Sequence, residues 1–305
     1  MQLSEKYKIL RTLGGQNTRK FGHVFLVQEK QTLELFVMKH ASFQGLDSHL
    51  CQRIRNEHRF TFQHDGFPVV HESIINEEES YLILNFKEGQ TLDNYWKTIR
   101  KGDKIRKLKE LLCTLAPIFE HLRHNNLVHC DIKPSNILVS ESDHGMHVDL
   151  LDFGLTLNTN EDLHDRQILF PLGYAAPELV LNQLNCIDHT SDLFALGIVI
   201  WRLFAGKLPL THPNPSIFTN LQITHPIPEH AEIPKELFRI LSKMCFKHQF
   251  STSPNRIPYE EVQQYLLAAK DQRYRTLPEV LNDLNELNER TNWFNKVLFG
   301  NRGRN

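Results

Sequence analysis

Residues 129–136 read HCDIKPSN, residues 152–154 read DFG and residues 176–178 read APE. Each segment is weak alone, since an aspartate ahead of Ile-Lys-Pro is ordinarily a turn residue. Their order decides the reading of the whole chain. Asn136 follows Asp131 by five residues, Lys133 sits between them, and Asp152 comes next. Upstream lies FVMK, which places Lys39 on a β-rich run. Five such runs occupy the first 88 residues: KYKILRTLGG, HVFLVQEK, LELFVMKH, FPVVHESIIN and SYLILNF. NEEES at 76–80 reads as a hairpin turn between the last two. One helical segment interrupts them, LDSHLCQRIRNEHRFTF, which Asp47 or Ser48 is placed to cap. Leu50, Ile54 and Glu57 fall at i, i+4 and i+7, so a carboxylate shares the apolar stripe. Buried charge is costly unless paired, and Glu57 therefore needs a cation.

Downstream of Gly89 the period becomes helical. LKELLCTLAPIFEHLRHNN is amphipathic, and HTSDLFALGIVIWRLFAG is apolar nearly all round, which predicts a helix inside a lobe. EIPKELFRILSKMCFKHQ and PYEEVQQYLLAAK are further helices. A β-rich part followed by a helical part is an α+β architecture. The expected boundaries are residues 1–88, 89–270 and a helical extension at 271–305. That extension opens with a capping box, Thr276 and Glu279, and carries Leu277, Leu281, Leu284 and Leu287 near one face. It reads as a helix packed on the preceding lobe or, alternatively, as a partner or dimer contact.

Composition excludes several classes. The chain has 305 residues, 40% hydrophobic and 23% charged, which is ordinary for a folded soluble protein. Lys+Arg 35 against Asp+Glu 36 leaves a net charge of −1, so no global field favours nucleic acid. Seven basic residues lie within 97–109, most simply a solvated face. Five cysteines without paired spacing read as reduced thiols. The longest uncharged apolar run, Leu193–Trp201, is far short of a membrane span, and MQLSEKYKIL has no apolar leader core. A cytoplasmic protein is expected, although a secreted effector acting in a host cytosol would look the same.

The ordered segments, with the upstream lysine, resemble the signature set of eukaryotic-type protein kinases over about residues 7–270. The resemblance implies a bilobal fold with a β-rich N-lobe and an α-helical C-lobe, ATP and Mg²⁺ as cofactors, and a protein substrate. It implies that Lys39 grips the α- and β-phosphates and pairs with Glu57, 18 residues on. Asp131 matches the carboxylate that accepts or orients the substrate hydroxyl proton, and Lys133 the cation that reaches the transferring phosphate. Asn136 and Asp152 match the metal ligands. Gly14, Gly15 and Gly22 match the glycine loop, with the central glycine missing and the Gly15–Gly22 gap two residues longer than the family's. Val24, Val37 and Leu138 would wall the adenine, Leu84 would be the gatekeeper, and Asn85 to Lys87 the hinge. Asp192 matches the aspartate that braces the catalytic loop, and Glu178 with Arg256 matches the buried pair that anchors the activation segment.

The sequence departs from the family at Cys130, where an arginine usually precedes the catalytic aspartate. That arginine normally meets a phosphorylated activation-loop residue, so activity independent of such phosphorylation is expected, with Thr156 and Thr159 the candidate modification sites. Pro171 stands where a substrate-site threonine is usual. Lys133-Pro134 resembles Ser/Thr kinases more than Tyr kinases. The competing readings are a pseudokinase that binds without transferring, and a small-molecule kinase, a class that generally lacks the APE segment.

Overall fold

The computed structural model describes residues 3–13, 23–42, 48–60, 62, 64–162, 170, 172–250 and 252–286. In chain order the elements are α1 (Leu3–Lys6), β1 (Tyr7–Thr12), β2 (His23–Glu29), β3 (Leu35–Ser42), α2 (Ser48–His58), β4 (Val70–Ile75), β5 (Glu79–Asn85) and β6 (Gln90–Thr91). There follow α3 (Leu92–Thr98), α4 (Lys104–His124), β7 (Leu127–Val128), β8 (Ile137–Ser142), β9 (Gly145–Leu150), β10 (Leu157–Asn158), α5 (Pro177–Val180) and α6 (His189–Ala205). Next come α7 (Pro215–Thr224), α8 (Lys235–Met244) and α9 (Tyr259–Asp271), and a helix α10 over 277–286. All five expected strands form, and the chain is α+β with a sheet-rich N-terminal region and a helical C-terminal region.

The chain forms two compact units whose membership does not follow chain order. One holds residues 1–92 and 135–156, the other 93–134 and 157–305. The β8–β9 hairpin belongs with the first unit.

The first unit is an antiparallel sheet ordered β1-β2-β3-β5-β4. Strand alternation sorts its residues onto two faces. Tyr7, Val27, Phe36, Met38 and Ile83 form one core. On the other face Ala41, Leu82 and Leu84 pack against Leu50, Cys51 and Ile54 of α2, with Val37 at the edge. The register sets Val24 opposite Lys39, Val37 opposite Leu84 and Lys39 opposite Leu82, so these side chains share the α2 face. The β4–β5 turn closes because Asn76 Oδ1 accepts the N–H groups of Glu78 and Glu79 at 2.9 and 2.8 Å. The β8–β9 hairpin is tied to the same unit by Leu150 N–H to the Gly66 carbonyl at 2.8 Å. Phe153 also stacks there, its ring 4.5 Å from Phe62 and 5.1 Å from Phe67.

The second unit is built around α6. Asp188 caps its start, accepting from Thr190 N–H at 2.8 Å. Gly206 ends it at φ 76°, a left-handed turn that glycine adopts without strain. Between the caps the helix is buried on nearly every side, Trp201 and Phe194 included. A residue of that size stabilises the fold by about 1.5–3 kcal/mol on burial. In α10, Leu277, Val280 and Leu284 are buried, so Val280 takes the place in the stripe that Leu281 was expected to fill. Thr276 Oγ1 accepts Glu279 N–H at 3.4 Å, while the Glu279 side chain accepts Arg275 N–H at 2.9 Å. Residues of this helix fall in the same compact unit as α6. Leu287 and the 293–299 cluster lie outside the described residues. No helix among the described residues is long and apolar enough to cross a membrane.

Candidate active site

In the first unit the sheet and α2 bring Lys39 to Glu57. Lys39 Nζ donates to Glu57 Oε1 at 2.8 Å and to Oε2 at 2.6 Å, and lies 3.4 Å from Asp152 Oδ1. The inward carboxylate has the cation it required, supplied by the strand that α2 covers. Burial works against the Lys39 charge, but Asp152 and Glu57 outweigh it and hold the ammonium above its ordinary value. The same burial, with Asp152 nearby, holds the Glu57 carboxyl above its ordinary value although Lys39 pulls it down; the short double contact is that of an ion pair.

Asp152 stands just past β9 in the left-handed region at φ 66°, where a non-glycine residue is uncommon and often functional. Gly154 N–H donates back to its Oδ1 at 3.4 Å. Asn136 stands just before β8, and the antiparallel register pairs Ile137 with Leu150. The two metal candidates therefore flank the open end of one hairpin, joined by Leu151 N–H to the Asn136 carbonyl at 2.8 Å. A carboxylate and an amide oxygen suit a hard cation such as Mg²⁺, which takes one or two protein ligands and completes its shell with phosphate and water. The pair fits that role.

The adenine-wall candidates also gather in this unit. Leu84 is buried, and Val24, Val37 and Leu138 are half-buried. At the hinge candidates, Asn85 Oδ1 accepts Val69 N–H at 2.5 Å, and Lys87 Nζ donates to the Asp65 carbonyl at 2.6 Å and ion-pairs with Asp149 Oδ1 at 2.9 Å, so both side chains are engaged within the unit. Gly14, Gly15 and Gly22 lie outside the described residues, as does Pro171.

In the second unit the catalytic-loop candidates rest on α6. Asp192 accepts the N–H groups of His129 at 2.7 Å and Cys130 at 2.9 Å. Burial pushes its carboxyl up to about 7 against the pull of those two donors. The bonds fix Cys130 at φ 63°, after which Asp131 N–H meets His129 Nδ1 at 3.2 Å. Lys133 Nζ spans both Asp131 oxygens at 2.9 and 2.8 Å. Cys130 is buried, and burial drives its thiol well above the ordinary range, which removes the thiolate a reactive cysteine needs.

Two expectations are corrected. Glu178 does pair with an arginine, but with Arg273 and not Arg256. Arg273 donates to Glu178 Oε1 at 2.6 Å and Oε2 at 3.1 Å, with both side chains 0% exposed. Arg256 sits in the Pro254–Arg256 turn with its side chain exposed, whereas Arg273 follows the end of α9 into the core. Thr156 is 0% exposed and so is closed to modification in this conformation, while Thr159 is exposed.

Sequence reasoning also passed over Arg53 and Asn56, which sit four and one positions before Glu57 on the same face of α2. Arg53 Nη2 donates to Asp152 Oδ2 at 3.0 Å, and Asn56 Nδ2 to the Thr156 carbonyl at 2.8 Å. Their helical spacing from Glu57 was the available signal.

The family model for the protein kinase domain matches residues 7–264, and the chain belongs to the eukaryotic-type protein kinase family. It is similar to the serine/threonine-protein kinase PrkC of Bacillus subtilis (strain 168), 27% identical over 216 residues, 68% of this chain and 32% of that protein. It is likewise 27% identical over 243 residues to the serine/threonine-protein kinase TIO of Arabidopsis thaliana, 76% of this chain and 17% of that one. The Arabidopsis serine/threonine-protein kinase AtPK2/AtPK19 is 26% identical over 218 residues, 67% of this chain and 42% of that protein. The chain thus spans less than half the length of these curated relatives.

Proposed function

We propose that the chain transfers the γ-phosphate of ATP to Ser or Thr hydroxyls of protein substrates. The observation that carries the reading is the Lys39 ammonium, fixed by Glu57 and turned toward the Asp152 carboxylate. Phosphoryl transfer depends on positioning and charge neutralisation more than on covalent chemistry. Lys39 supplies a cation to the α- and β-phosphates, and Glu57 keeps it in place. Asp152 and Asn136 would hold Mg²⁺, which when bound neutralises the phosphate oxygens. Asp131 orients the substrate hydroxyl and takes its proton, and Lys133 balances charge on the transferring group. Val24, Val37, Leu84 and Leu138 offer apolar walls to the base, with the backbone of Asn85–Lys87 beside it.

Cys130 supports activity that does not wait for activation-loop phosphorylation, because the side chain at this position has no charge to offer a phosphate. The Lys133-Pro134 pairing and the names of the relatives support Ser/Thr as acceptor. A cytoplasmic setting suits cysteines that read as reduced. The test is autophosphorylation and protein phosphorylation from radiolabelled ATP, run beside Mg²⁺-nucleotide binding by thermal shift. Transfer to Ser or Thr is expected. Binding without transfer would select a pseudokinase, and transfer to a sugar or antibiotic but to no protein would select a small-molecule kinase.

A further inference from the structure

Asp152 is assigned above to a divalent cation, yet its carboxylate already faces two cations of the protein. Arg53 Nη2 bonds Oδ2 at 3.0 Å while Lys39 Nζ lies 3.4 Å from Oδ1. Lys39 is balanced by Glu57, and Arg53 by Asp152, so the four charges sum to zero before any metal arrives. The guanidinium contact is built into the fold. Arg53, Asn56 and Glu57 lie at i, i+3 and i+4 of α2 and all reach the 152–156 segment. Glu57 accepts Phe153 N–H at 3.4 Å, and Asn56 donates to the Gly154 and Thr156 carbonyls at 3.3 and 2.8 Å. Gly154 leaves the space that the arginine needs. A Cβ there would stand 3.0 Å from Arg53 Cβ and 3.1 Å from its Nε, closer than such contacts normally run.

We propose that Arg53 is a resident counter-ion for Asp152, holding the carboxylate while no metal is bound and yielding it when Mg²⁺ and nucleotide bind. The inference rests on the reading of Asp152 as a metal ligand. A guanidinium and a dication compete for one carboxylate, both for its lone pairs and through mutual repulsion. Arg53 therefore lowers metal affinity while stabilising the metal-free protein. The α2 helix that carries Arg53 also carries Glu57, so the position of one helix sets both the phosphate-gripping lysine and the readiness of the metal ligand.

The experiment measures Mg²⁺ dependence of ADP binding by fluorescence titration, and thermal unfolding in EDTA, for the wild type, Arg53→Met, Arg53→Lys and Asp152→Asn. Arg53→Met should reach half-saturation at roughly fivefold lower Mg²⁺ or less and unfold at a lower temperature in EDTA. Arg53→Lys, which keeps the charge, should stay near the wild-type requirement. An unchanged or higher Mg²⁺ requirement in Arg53→Met overturns the proposal and leaves Arg53 a residue that merely orients Asp152. Asp152→Asn separates the two levels. If its Mg²⁺ dependence equals the wild type, the metal-ligand reading itself fails. If it is altered while Arg53→Met is not, only the counter-ion fails.

Discussion

Two buried ion pairs of the same chemistry serve opposite ends in this chain. In the helical unit, Glu178 and Arg273 are sealed, both side chains 0% exposed, and Ser191 Oγ donates to Glu178 at 2.7 Å. In the sheet unit, Lys39 and Glu57 are paired as closely, but the cluster stays open at one side, with Lys39 16%, Arg53 20% and Asp152 25% exposed. A sealed pair leaves no charge for a ligand and acts on stability. An open cluster whose outermost group is a carboxylate in a left-handed turn leaves part of its charge facing solvent.

The largest effect should come from breaking the sealed pair. Arg273→Met strands Glu178 and should cost about 3–5 kcal/mol in chemical denaturation. Arg256→Ala, on an exposed turn, should stay within about 0.5 kcal/mol. Equal costs would return the pair to Arg256. Breaking the open pair should act on chemistry. Lys39→Met should lower phosphotransfer by roughly 10²–10³-fold, with the circular dichroism spectrum retained. Full activity in that variant would remove Lys39 from the site.

Acidity sharpens the contrast further. Burial works against the Glu178 charge, but Arg273 overcomes it and holds the carboxyl below its ordinary 4.5. A depressed carboxyl contributes stability above its unfolded value and loses it as pH falls through the folded one. Glu178→Gln should therefore flatten the acid limb of the stability curve. Asp192 has the opposite sign. Its carboxyl is raised by burial from 3.8 to about 7, so its ionisation costs stability as pH climbs across that window, and Asp192→Asn should remove this slope. The smallest effect is expected at Thr159. Thr159→Ala should change the transfer rate by less than about twofold, because Cys130 offers no charged partner for a phosphate there. Silencing would show that activation does depend on that residue.

Periodicity made much of this legible. Alternating apolar residues located all five strands, and the i, i+4, i+7 stripe of α2 marked Glu57 as an inward acid in need of a cation. Asp131, Asn136 and Asp152 stand out in the sequence because their order is distinctive. Arg273 does not, since nothing local distinguishes it from Arg256; only tertiary packing decides which guanidinium the turn after α9 delivers to Glu178. Arg53 and Asn56 were missed because polar residues beside a stripe resemble a solvent face unless the loop they meet is known. The placement of the β8–β9 hairpin with the sheet unit was hidden for the same reason: chain order is not contact order.

The central claim is that Asp131 serves transfer while Lys39 and Asp152 serve the nucleotide. The direct measurement is phosphate transfer from radiolabelled ATP by Asp131→Ala beside the wild type, with Mg²⁺-ADP affinity measured on the same preparations. The account expects Ser/Thr phosphorylation by the wild type, a drop of roughly 10²-fold or more in the variant, and nucleotide affinity within about twofold. Transfer undiminished in the variant, or absent from a wild type that binds nucleotide, would contradict it.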